Sequence, residues 1–148
     1  MERLILGANG FVGRNVLAEA DAAPLEHVSA LILPHAGHRY SGPVAAFGLK
    51  HVVGRTFSRV VVLGPSHRYG RPILASVPNV THYATVLGEV PLDVKFIEDL
   101  REYSVFTYLP AGHETEHSVQ IEVPLLQRVL GDFLLVPIVV GQLDADAA

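Results

Sequence analysis

Three short runs of almost unbroken aliphatic residues constrain this chain more than any other feature: Val28–Leu33 (VSALIL), Arg59–Leu63 (RVVVL) and Phe133–Val140 (FLLVPIVV). A strand with one wet face alternates apolar and polar residues, whereas a strand covered on both faces is apolar throughout. Each run is far shorter than the roughly 20 residues a membrane span needs. Between them lie amphipathic stretches of helical period. These are Phe11–Ala20, Pro43–Val53 with Pro43 in its first turn, Val94–Tyr103 with Lys95, Glu98, Asp99 and Arg101 on the wet side, and Glu116–Leu130, interrupted or kinked at Pro124. Shorter strands are expected at Arg3–Leu6, Ile73–Val77, Val90–Leu92 and Val105–Tyr108. Buried strands alternating with helices predict an α/β fold, a mostly parallel sheet flanked by helices on both faces. Pro137, inside the last run, predicts a bend or a place near an edge. The 148 residues contain no linker-like stretch and no internal repeat, so a single domain over residues 1–148 is expected.

Composition removes several classes of function. A net charge of −4 with scattered Lys and Arg argues against a nucleic-acid partner. The chain has no cysteine, hence no disulfide framework and no thiolate ligand of its own. The opening MERLILGANG has too short an apolar run for a signal peptide, and an acidic residue precedes it. A cytoplasmic protein that does not enter a membrane is the expectation. The tail LDADAA is expected to fray, and an end just after a strand, where a crossover helix would follow, suggests truncation. A truncated parallel sheet has an open edge, which makes a homo-oligomer an expectation as well.

The unusual count is eight histidines. Two of them occupy matching places. His35, in PHAGHRYSG, follows one buried run, and His67, in GPSHR, follows another. In open α/β sheets ligands bind beyond the carboxyl ends of strands, and neutral imidazole is a common transition-metal ligand. If the two strands are neighbours, both rings reach one rim. His38 and Tyr40 are placed to line a pocket there, and Arg39 and Arg68 either hold an anion or face solvent. A third segment, HETEHS, opens the last helix, with Thr115 as its cap and Glu116 in its first turn. His117 in that segment is a third ligand or a general acid/base. His113 is expected to precede the helix, which rules out a zincin reading of HETEH. His27, His51 and His82 read as solvated, and Asp93 as a helix cap. The loop Gly7-Ala8-Asn9-Gly10-Phe11-Val12-Gly13 has the glycine spacing of a dinucleotide loop, but the next strand ends in Leu33-Pro34-His35 rather than in an acidic residue for the ribose.

Four blocks in order, LILPHAGHRYSGPVAA, RVVVLGPSHR, ATVLGEVPLD and EHSVQIEVPLLQRVLGDFLLVPIVVG, cover some three quarters of the chain and resemble the Memo-like family, which includes AmmeMemoRadiSam system protein B. That family is similar to class III extradiol dioxygenases of the LigB-like group. The resemblance implies a three-layer Memo-like fold, of which this chain is the N-terminal part. It also implies a metal ion at the sheet rim, iron or copper first and zinc after them. His35 and His67 would be its ligands, and His117 would be a catalytic residue near the pocket. Departures are His38 in place of the usual tyrosine, Thr115 in place of an acidic residue, an atypical first 25 residues carrying GANGFVG, and no counterpart of the family's later cysteine. The expectation is a metal protein with redox or oxygen chemistry on a small molecule, with an incomplete site. Its alternatives are a nucleotide-binding reductase-like domain using Gly7, Gly10 and Gly13, or a non-enzymatic module with a protein partner.

Overall fold

The computed structural model describes residues 3–7, 25–68 and 75–142, with backbone alone for 3–7. In chain order the elements are β1 (Arg3–Gly7), β2 (Ala30–Ile32), α1 (His38–Leu49), β3 (Arg59–Pro65), β4 (Ala75–Ser76), β5 (His82–Thr85), β6 (Gly88–Pro91), α2 (Val94–Leu100), β7 (Phe106–Thr107), α3 (Pro110–Glu114), α4 (Ser118–Val129) and β8 (Leu134–Val140). Six strands form one sheet in the order β2-β1-β3-β8-β4-β7, and β5 and β6 form a separate hairpin. Every pair in the large sheet is parallel except β4 with β8. The α/β expectation is met. None of the helices among the described residues is long and apolar enough to cross a membrane.

The apolar runs form the middle of the sheet for the reason that makes them apolar. Val60 and Val62 on one face of β3 are fully buried, and Val61 and Leu63 on the other also pack against the core. In β8 every residue from Leu135 to Val139 is buried. Pro137 therefore lies in an interior strand, not near an edge. Alternate residues of a strand direct their backbone groups to the same side. The Leu135 carbonyl accepts from Asp93 N–H, and Val139 pairs with Ser76, both on the side away from β3. The nitrogen of Pro137 points to that same side, into the gap between Leu92, which bridges Leu135, and β4. No ladder bond is lost there.

Other boundaries moved for local reasons. Helix α1 starts at His38, so Pro43 is inside it rather than in its first turn. Thr115 closes α3, its Oγ1 donating to the Ala111 carbonyl at 2.8 Å, and does not cap α4. His113 is inside α3, and α4 begins only at Ser118 and runs through Pro124 to Val129. Asp93 caps α2 as expected, accepting from Phe96 N–H at 3.0 Å. His51 is buried, its Nδ1 accepting from Leu25 N–H at 3.1 Å, so it is not a solvated residue. The β5–β6 hairpin is unexpected at β5. Gly88, with φ +114°, closes its turn, and Val86 at the tip is 92 % exposed. The expected helix at Phe11–Ala20 lies outside the described residues.

One close approach positions the site. A Cβ on Gly64, near the end of β3, would stand 2.5 Å from Ser118 Oγ and 2.8 Å from Val119 Cγ2. The absence of a side chain lets the start of α4 rest on the end of β3, where Ser118 Oγ donates to the Pro65 carbonyl at 2.8 Å. Gly64→Ala is expected to cost roughly 1–3 kcal/mol as overpacking, read as a lower urea midpoint. An unchanged midpoint would show that α4 does not need this contact.

Candidate metal centre

The rim expected at the strand ends exists, although the strands that build it are not neighbours. β1 lies between β2 and β3, so the loops after β2 and β3 flank its carboxyl end. The chain runs from β1 to β2 on one side, then crosses to β3 on the other, which makes this the switch point of the sheet, where crevices open. From there the two side chains bridge the intervening strand. His35 Nε2 and His67 Nε2 are 3.2 Å apart. His117 stacks on His67 with ring centroids 4.8 Å apart and planes 16° apart. The three histidines singled out in the sequence thus form one cluster.

The residue that organises this cluster is Glu116, which sequence reasoning took for a first-turn helix residue. It precedes α4, is 1 % exposed, and receives four donors. Oε2 accepts His67 N–H at 2.6 Å, and Oε1 accepts His117 N–H at 2.8 Å and Ser118 N–H at 3.2 Å. The fourth contact is His67 Nδ1 to Oε1 at 2.8 Å, a bond in which the imidazole N–H donates. Burial alone would raise this carboxyl, but the hydrogen bonds from His67, Ser118 and His117 outweigh it and hold the group down at about 2. A carboxylate that fixes Nδ1–H leaves the lone pair on Nε2 and aims it outward. The donor atoms of His67, Glu116 and His117 also lie within 4.8 Å of one another, a group able to hold a metal ion. The oxygens of Glu116 are already occupied by N–H donors, so the open nitrogens are the better ligands.

The residues fit a metal ion on two further observations. Two nitrogens each roughly 2.0–2.1 Å from a tetrahedral ion stand about 3.3 Å apart, close to the 3.2 Å seen. His35 Nδ1 is buried and has no hydrogen-bond partner among the described residues, so Nε2 is the ring's one engaged nitrogen there. Burial first, then the neighbouring His67 and His117, push the His35 imidazole below its usual value. That favours the neutral ring a metal requires.

A cleft of about 770 Å³ opens beside His117, between α4 and the β5–β6 hairpin. His38 lines it while its Nε2 donates to the Ile121 carbonyl at 2.7 Å, which ties α1 to α4. Tyr40 is 79 % exposed and does not line the cleft. Arg39 and Arg68 face solvent. Of the dinucleotide-like loop, Gly10 and Gly13 lie outside the described residues.

Fold and site together define an α/β protein that gathers histidines and a buried carboxylate at the carboxyl edge of a parallel sheet. The chain belongs to the Memo-like protein family, whose profile matches residues 13–148. It is similar to the protein memo-1 homolog of Caenorhabditis elegans, 38% identical over 117 residues, 77% of this chain and 33% of that protein. A MEMO1 family protein of Thermotoga neapolitana is 38% identical over 118 residues, 77% of this chain and 42% of the relative. Another from Aeropyrum pernix is 42% identical over 118 residues, 78% and 42% of the two chains. The chain thus spans between a third and a half of the length of these relatives.

Proposed function

We propose that His35 and His67 bind one metal ion through their Nε2 atoms, with Glu116 orienting His67 and His117 moving a proton at the edge of the cleft. The observation that carries this is the 3.2 Å separation of the two Nε2 atoms, with Nδ1 of His67 pinned by a buried carboxylate. Imidazole suits iron and copper as well as zinc, and the resemblance to extradiol dioxygenases favours iron or copper. When bound, such an ion supplies redox or Lewis-acid chemistry to a small molecule in the cleft. The chain's own part is to hold the His35 imidazole below its usual value, to fix the direction of both rings, and to offer His117, whose ring is half exposed and stacked on a ligand, as proton donor or acceptor. Two histidines alone give a weak and labile site with open positions.

Isothermal titration with Fe(II), Cu(II) and Zn(II) tests this on the parent and on His35→Ala. The parent is expected to take up one ion, and the variant to show no saturable binding. Equal binding by both proteins sinks the reading.

A further inference from the structure

The cleft carries a second polar device that the proposed metal site does not use. Leu109 N–H donates to Ser76 Oγ at 3.1 Å, Ser76 Oγ lies 3.1 Å from His113 Nε2, and His113 Nδ1 lies 2.5 Å from Tyr83 Oη. Ser76 is fully buried and His113 nearly so, while Tyr83 and His113 both line the cleft.

The direction of the protons follows from satisfying Ser76. Its hydroxyl hydrogen has two acceptors nearby, the Leu109 carbonyl at 3.5 Å and His113 Nε2 at 3.1 Å. The first is beyond the normal O–H···O range, and a buried hydroxyl donates where it has a partner. His113 is neutral at pH 7, because burial pushes it down to about 4 against a smaller upward pull from the Ser76 carbonyl, an acceptor that a proton on Nε2 would reach, so the tautomer is the point on which the inference turns. A neutral ring that accepts at Nε2 carries its one proton on Nδ1. That proton goes to Tyr83 Oη, so the tyrosine keeps its own hydrogen to give away. Each donation in such a file strengthens the next.

The cleft wall defines what receives it. Pro78, Val80, Val86, Ile121 and Pro124 give it an apolar wall, and its lining holds the carboxylate of Glu114 but, among the described residues, no lysine or arginine, which disfavours an anion. We infer that Tyr83 donates a hydrogen bond to an acceptor oxygen of an uncharged, mainly apolar small molecule in this cleft, with His113 and Ser76 as positioning residues that set the direction of that bond. The inference needs no metal.

The test uses the whole chain with chelator present, so its outcome is separate from that of the metal titration. Long-range ¹H–¹⁵N NMR of the imidazoles is expected to show His113 as the Nδ1–H tautomer. The Nε2–H tautomer overturns the inference, because Tyr83 would then donate to His113 and have nothing to offer. Acetophenone, ethylbenzene and benzoate serve as probes of similar size. Acetophenone is expected to bind tightest, and Tyr83→Phe to weaken it about three- to tenfold, the worth of one neutral hydrogen bond, while leaving ethylbenzene unchanged. Acetophenone binding that Tyr83→Phe does not alter, or benzoate binding more tightly than acetophenone, overturns it as well. The tautomer is read on the parent, so the test survives a variant that folds poorly.

Discussion

Glu116→Gln is expected to weaken metal binding 10- to 100-fold and to lower stability by about 1.5–3 kcal/mol at neutral pH. The first figure is the usual cost of losing the group that orients a metal-bound histidine. The second is the range for a buried hydrogen bond to a charged acceptor. The substitution keeps the size of the side chain and removes the charge. The carboxylate accepts from four N–H groups. An amide must present its NH₂ to some of these donors, and His67 then loses the partner that fixes Nδ1–H. The pH dependence carries the same signature. Glu116 is depressed from 4.5 to about 2 in the folded chain. Its contribution is therefore complete above about 4.5 and is lost as pH falls toward 2, where the native carboxyl takes up its proton. Urea midpoints measured from about pH 4.5 down to about pH 2.5, the window in which Glu116 titrates, should fall more steeply for the parent than for Glu116→Gln. Parallel curves would mean that Glu116 does not hold its charge in the folded state.

The fold, and the meeting of His35 and His67 at one rim, were legible because their signals are local. A continuous apolar run means a strand covered on both faces, and a histidine just after such a run is at the rim; His35 and His67 needed no more than that. Glu116 was legible only as a helix-start residue, because its partner His67 is 49 residues away and reaches it by tertiary packing. The packing rests on Gly64, whose missing side chain is visible in the sequence but whose neighbour is not. Tyr83 was passed over because β5 has no readable alternation: a four-residue strand pattern with its other residues exposed or half-buried resembles a loop. His51 read as surface on residue type, yet the Leu25 N–H supplies the partner that lets it be buried. Pro137 was misplaced because an unpaired gap inside a sheet serves a proline as well as an edge does, and only the register distinguishes them.

Glu122→Met is expected to stabilise the chain, and to do so more at pH 8 than at pH 5. Glu122 lies on the inner face of α4 in line with Ser118 and Leu126, one turn apart on each side, and beside Val119 and Val123 of the core. It is 2 % exposed, and among the described residues neither carboxylate oxygen has a hydrogen-bond partner. Burial alone raises it from 4.5 to about 7. The sign is opposite to that of Glu116. Between about 4.5 and 7 the folded chain holds a proton that the unfolded chain has released, so stability falls as pH rises through this window and the loss is complete above it. Two and a half pH units correspond to about 3 kcal/mol at 1.36 kcal/mol per unit. Methionine has similar length, adapts to irregular core space and carries no charge. Chemical denaturation at the two pH values should show a gain near 3 kcal/mol at pH 8 and well under half of that at pH 5. An equal gain at both would mean that Glu122 is not neutral when buried, and a loss at both would mean that the carboxyl has a partner. Two buried glutamates six residues apart at the start of one helix thus pull the pH optimum from opposite sides. Glu116, with four donors, opposes acid; Glu122, with none, opposes base; and the chain tolerates the second charge while it depends on the first.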